Sequence, residues 1–160
     1  MSIRLAIRGN LVRDCLFTLA ILGSLFCATS NAMAYDVIIS SGTTTNMVFS
    51  VTRTYAPTAS GAVLNYGDLQ TKLGSGNVTV KTGSSGTEAG NITVENSFTW
   101  SANNLTLDAY ESVTVGTISG SGVDVSATSS AGLILKTADG GSSGQLSFVN
   151  GGHITFANTI

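Results

Sequence analysis

Three carboxylates, Asp108, Glu111 and Asp124, are the only acids that cluster in the strand-rich part of this 160-residue sequence. Glycoside hydrolysis needs two carboxyls flanking one bond, about 5–10 Å apart. Asp124 is the outward member of Val123-Asp124-Val125, and the matching outward position one coil earlier is Thr106. Stacked coils would therefore carry Asp108 or Glu111 toward Asp124, with Lys136 the nearest cation to serve a lyase. A solvated acidic surface accounts for the same residues, and no catalytic residue is expected among them. His153 is the sole histidine. Without a second imidazole or a thiolate it cannot form a nitrogen-rich transition-metal site, and its place before inward Ile154 turns it to solvent at a turn. Calcium takes carboxylates and turn carbonyls. The Gly-Gly-x-Gly-x-Asp nonapeptide of calcium-binding β-rolls is nonetheless missing from the sequence. No metal and no cofactor are expected.

Asn77-Val-Thr79, Asn91-Ile-Thr93 and Asn104-Leu-Thr106 each satisfy the N-x-[ST] sequon. A turn asparagine placed before an alternating strand generates all three, so no glycan is inferred. Trp100 ends an inward triplet and reads as core. In the opposite register its ring would face out as a platform for a sugar or a partner. No binding residue is identified.

The elements that must position these groups are short strands. From Val78 onward nine apolar-polar-apolar triplets recur, at Val78, Ile92, Phe98, Leu105, Val113, Val123, Leu133, Leu146 and Ile154. Six of the nine have threonine in the middle. Period-two alternation sends the apolar pair to one face and the threonine to the other. Ile92, Val113, Leu133 and Ile154 begin triplets 21, 20 and 21 residues apart, and Phe98 and Ile118 are 20 apart. Leu105, Val123 and Leu146 follow at 18 and 23. Strands recurring at about 20 residues predict a solenoid whose coils stack on one another. Gly/Ser turns such as Thr82–Gly86, Ser119–Gly122 and Asp139–Gly144 bend the chain at its corners. An antiparallel sandwich is the competing fold, but no two-residue Asn-Gly or Asp-Gly hairpin joins adjacent triplets. The expected fold is all-β: a single-stranded parallel β-helix of about four coils over residues 77–160.

Residues 1–34 read as a secretory signal peptide. Arg4, Arg8 and Arg13 form a basic start, residues 15–28 an uncharged greasy core, and Ala32-Met33-Ala34 the exit. Cleavage is expected after Ala34. The core is too short to span a bilayer comfortably. The remaining 126 residues carry four cations and eight anions, a net charge of −4. No basic cluster survives, so no nucleic-acid partner is expected. Cys15 and Cys27 both lie in the leader, which predicts a mature chain without disulfides.

Residues 35–76 break the pattern. Val37–Ile39, Met47–Phe49, Val51 and Val63–Leu64 read as strands, and Asp68–Leu73 as a short helical turn capped by Asp68. Exposed sheet edges invite aggregation, so this segment is expected to cap the first coil. No similar cap follows Phe156. Another molecule covering the last coil, including self-stacking of a second copy, is one expectation; a place within a longer architecture is the other.

Gly67–Val80, Ala89-Gly-Asn-Ile-Thr-Val94 and Phe98–Ala109 resemble the β-helical exoproteins of Gram-negative bacteria, the filamentous-haemagglutinin-like adhesins and autotransporter passengers. The likeness covers residues 61–160 well and 35–60 loosely. It implies a right-handed β-helix exported to the cell surface or secreted. It further implies contact with host or cell-surface carbohydrate or protein, no catalysis, and passage through an outer-membrane transporter. The Asn-Pro-Asn-Gly motif usual in two-partner secretion domains does not occur, and residues 145–160 are too few for a membrane barrel. A carbohydrate-active β-helix using Asp108, Glu111 and Asp124 is the alternative.

Overall fold

The computed structural model describes residues 34–140 and 143–157. Of the expected leader only Ala34 falls within them. The chain runs β1 (Val37–Ser40), β2 (Met47–Phe49), β3 (Thr54–Pro57), β4 (Ala62–Asn65), α1 (Tyr66–Leu73), β5 (Val78–Lys81), β6 (Ile92–Val94) and β7 (Phe98–Trp100). It continues through β8 (Asn104–Asp108), β9 (Val113–Val115), β10 (Asp124–Thr128), β11 (Gly132–Lys136), β12 (Leu146–Phe148) and β13 (His153–Ala157). Three sheets result: β4-β1-β6-β9-β12, β7-β10-β13 and β2-β3-β5-β8-β11. Every strand pair is parallel except β2 with β3. From β4 onward the chain visits the sheets in rotation, with α1 taking one strand's place. This is a parallel β-solenoid of about four turns, as the alternating triplets predict.

The inward residues stack like on like. Val37, Ile92, Val113 and Leu146 form one column, Phe98, Val125 and Ile154 a second, and Val78, Leu105 and Leu133 a third. Val37, Ile92, Leu105 and Val113 are wholly buried. The expected constant period of twenty is corrected by these registers. A turn takes 21 residues from Ile92 to Val113, 27 from Phe98 to Val125, and 33 from Val113 to Leu146. The expected column Ile92, Val113, Leu133, Ile154 mixes three sheets. Register is set locally by ladder hydrogen bonds and the inward pair, whereas the connections between rungs tolerate different lengths. Ile118, expected to lie inward with Phe98, is 94% exposed in the connection between β9 and β10. The triplet at Val123 is displaced by two residues, so that Val125 and Ala127 lie beside Phe98 and Trp100.

Corners pose a separate problem, because the backbone leaves the ladder there and its N–H groups need acceptors. The residue just before each strand supplies one. Asp36 Oδ1 accepts from the Gly90 and Asn91 amides at 2.8 and 2.7 Å. Asn91 Oδ1 accepts from Ser112 N at 3.2 Å, and Ser112 Oγ from Gln145 N at 3.1 Å. At the other corners Asn77 Oδ1 takes Asn104 N (2.8 Å) and Ser97 Oγ takes Asp124 N (2.9 Å). Two of the three sequon asparagines are thereby committed to structure.

The segment 35–76 is only partly a cap. β1 lies between β4 and β6, inside the stack. Three different devices cover the edges above it. β2 pairs antiparallel with β3; Thr45 bridges Val63 of β4 through two hydrogen bonds of 2.9 and 3.0 Å; and Gln70 of α1 donates to Thr99 O of β7 at 2.7 Å. The cap of α1 is Asn65, whose side chain accepts from Gly67 N and Asp68 N. Asp68, expected in that role, sits in the first turn and accepts from Thr44 Oγ1. A residue before the first turn has the extended backbone that a cap needs, and Asn65 has it. Val51, expected in a strand, is fully exposed outside one.

Leu105→Ala is expected to cost about 2–5 kcal/mol. Asn91→Ala, which orphans the Ser112 amide, should cost about 1–2 kcal/mol. Ile118→Ser should stay within about 0.5 kcal/mol. Urea unfolding followed by circular dichroism measures all three, and an Ile118 effect as large as that of Leu105 would refute the register.

Candidate functional site

The structure separates the three candidate acids. Asp108 ends β8, in register with Lys81 of β5 and Lys136 of β11. Lys81 Nζ lies 3.2 Å from Asp108 Oδ2 and 2.6 Å from Asp139 Oδ2, and Lys136 Nζ lies 3.8 Å from Asp108 Oδ2. Stacked rungs are about 4.8 Å apart, so like charges in one column would repel; here the signs alternate. Asp108 is 5% exposed, and its Oδ1 is buried without a hydrogen-bond partner. Glu111 follows β8, and its Oε1 accepts from Ser143 Oγ at 2.8 Å. Asp124 opens β10 on a different sheet, where its register partner is His153, not a position above Thr106. Thr106 stands between Thr79 and Ile134. The expectation that stacking carries Asp108 toward Asp124 is thus corrected; the two-residue displacement of the Val123 triplet is the cause.

His153 is exposed, as its turn position suggests, with Nε2 3.5 Å from Asp124 Oδ1 and Nδ1 2.9 Å from Gly151 O. Trp100 is core: it is 5% exposed, lies 5.6 Å from the Phe98 ring centre, and its indole N–H donates to Asn103 O at 3.2 Å. Among the described residues no three metal-ligating side chains converge. Ala34 is buried and bridged to Glu88.

One surface feature escaped the sequence reading. On the outer face of the first sheet Thr93, Thr114 and Ser147 form a column of hydroxyls. The connection after β9 rises beside them and contributes Thr117 and Ile118, while Glu95 borders the floor; the groove holds about 580 Å³. Such a trough can hydrogen-bond a hydroxylated or peptidic ligand, and Ile118 offers it an apolar contact. It contains one carboxylate and no histidine, lysine or arginine, so it assembles no nucleophile with a base. A signal for it was present. Ile118 is followed by Ser119-Gly120, without the second apolar residue that an inward triplet requires.

Comparison with protein-family models, curated proteins and solved structures returns no match. Fold and surface together define a class: parallel β-solenoids with a hydroxyl-rich exterior and an internally paired charge column.

The hydrogen bond to Asp139 is the main influence raising the Lys81 ammonium above its ordinary value, and the same bond holds the Asp139 carboxyl below its own. A raised lysine stabilises fully below its unfolded value of 10.5 and loses this as pH climbs through the folded value. A depressed aspartate stabilises above its unfolded value of 3.8 and loses this as pH falls through the folded value. Lys81→Met is therefore expected to lower the melting temperature most at neutral pH and to converge with the parent at both extremes. Calorimetry across pH tests this; a constant difference at every pH would contradict it.

Proposed function

We propose that this chain is exported and acts as an adhesin-like surface module, of the filamentous-haemagglutinin-like kind, that makes contact through its outer faces without catalysis. The observation that carries this reading is the hydroxyl-lined groove beside Ile118, on a solenoid whose candidate acids are each engaged elsewhere. A repeated polar face suits an extended carbohydrate or protein surface better than a small substrate. The basic start, greasy core and small-residue exit of residues 1–34 support export, with an outer-membrane transporter as the partner for the final step.

Purified exported protein is expected to bind immobilised glycans or host-cell surfaces, and Thr114→Lys is expected to weaken that binding about tenfold with the fold intact. Product analysis of the same glycans should show no cleavage. Turnover of a polysaccharide that disappears in Asp124→Asn or Asp108→Asn would replace this reading with the enzymatic one.

Self-stacking belongs to the same proposal. The first turn is covered at every edge, whereas Leu146, Phe148 and Phe156 are 42%, 48% and 58% exposed at the other end. Two copies would meet end to end through β11, β12 and β13, whose outer edges lack strand partners. Sedimentation should reveal a concentration-dependent dimer that Phe156→Lys dissociates. A wild-type monomer at all accessible concentrations would dismiss it.

A further inference from the structure

The sequence places Ala34 at the end of the leader, yet the fold is built around this residue. Ala34 has no exposed surface. It forms an antiparallel bridge with Glu88: Ala34 N donates to Glu88 O at 2.9 Å, and Glu88 N donates to Ala34 O at 2.7 Å. Two glycines of the β5–β6 connection make its socket. A Cβ on Gly86 would stand 2.4 Å from the carbonyl carbon and oxygen of Ala34, and a Cβ on Gly90, where φ is +83°, would stand 2.5 Å from the Ala34 methyl. Contacts this short exclude any side chain at either glycine while Ala34 is in place.

The neighbouring bonds extend the same embrace. Glu88 Oε2 accepts from Asp36 N at 2.9 Å, and Asp36 Oδ1 accepts from Gly90 N and Asn91 N. The connection thus grips the chain at residues 34 and 36, immediately before β1. Discarding Ala34 would leave a methyl-sized void between two glycines, and would strip the Glu88 amide and carbonyl of their partner. The socket has a use only if the residue stays.

We propose that maturation retains Ala34: the leader peptidase cuts after Ala32, and the mature chain begins Met33-Ala34-Tyr35. Ser30-Asn31-Ala32 has the same small-x-small form as Ala32-Met33-Ala34, so the leader offers two scissile bonds two residues apart. Hydrolysis of the upstream amide frees an ammonium on Met33 and a carboxylate on Ala32, with water the only co-reactant. Met33 and Ala34 then serve as the tether that fixes the start of β1. This inference rests on the export reading and refines it.

The full-length chain is expressed in a Gram-negative host, and the folded exported protein is examined by intact mass and N-terminal sequencing. Met33 is expected as the first residue; Tyr35 as the sole or predominant first residue overturns the proposal. A chain retaining its whole leader would overturn the export reading instead, and with it this refinement. Ala34→Leu gives a second readout. If the cut follows Ala32, the variant is still processed, and the socket cannot hold leucine, so its melting temperature drops by about 5 °C or more. If the cut follows Ala34, a bulky residue stands at the scissile bond, and unprocessed precursor accumulates.

Discussion

Everything in this fold depends on backbone hydrogen bonds running between successive turns, in parallel and in register. Along the rungs the strands make these bonds themselves. At the corners they cannot, and short side chains stand in: Asp36, Asn91 and Ser112 at one corner, Asn77 and Ser97 at the others. An unpaired buried amide costs about as much as several good contacts provide. The abundance of Asn, Ser and Thr is therefore a structural requirement before it is a functional property. The described chain has no cysteine, and its turns are held in place by this hydrogen bonding together with the apolar columns.

In-register stacking also sorts side chains by chemistry. Whatever stands on one rung meets its counterpart on the next, so each column must be compatible with itself. Apolar columns satisfy this by burial and hydroxyl columns by mutual hydrogen bonding. The column Lys81–Asp108–Lys136 satisfies it by alternation, and Asp139 joins from beyond the strands. These charges neutralise one another and leave the hydroxyl groove on another sheet as the exterior feature free to meet a partner. Function on such a scaffold lies in the connections, which vary in length while the rungs do not.

That division explains what was legible in the sequence. The triplets from Val78 to Ile154 exposed the strands, their inward residues and their parallel direction, because alternation is local and survives in any register. Trp100 was placed in the core for the same reason. Turn length was not legible: connections of unequal length made Leu133 and Ile154 fall near multiples of twenty by coincidence, and that spacing drew Ile118 inward and Asp124 toward Asp108. The groove went unseen with Ile118. Helix α1 could be read, but its cap could not, since Asn65 and Asp68 are both competent and only the backbone path chooses between them. The insertion of β1 between β4 and β6 left no local trace at all.

That insertion governs how the protein can assemble. A solenoid ordinarily grows like a coil of rope, each loop laid on the one before, with nothing waiting on a distant event. Here the first strand has neighbours 25 and 55 residues further along, at Ala62 and Ile92. A chain threaded through a membrane from its amino end would deliver Val37–Ser40 long before either neighbour arrived. The opening strand must wait, unpaired, until the second has passed, and it then locks last what emerged first. Completion is thus postponed until well over half of the thread is across, which keeps the chain pliable during the passage it has to make.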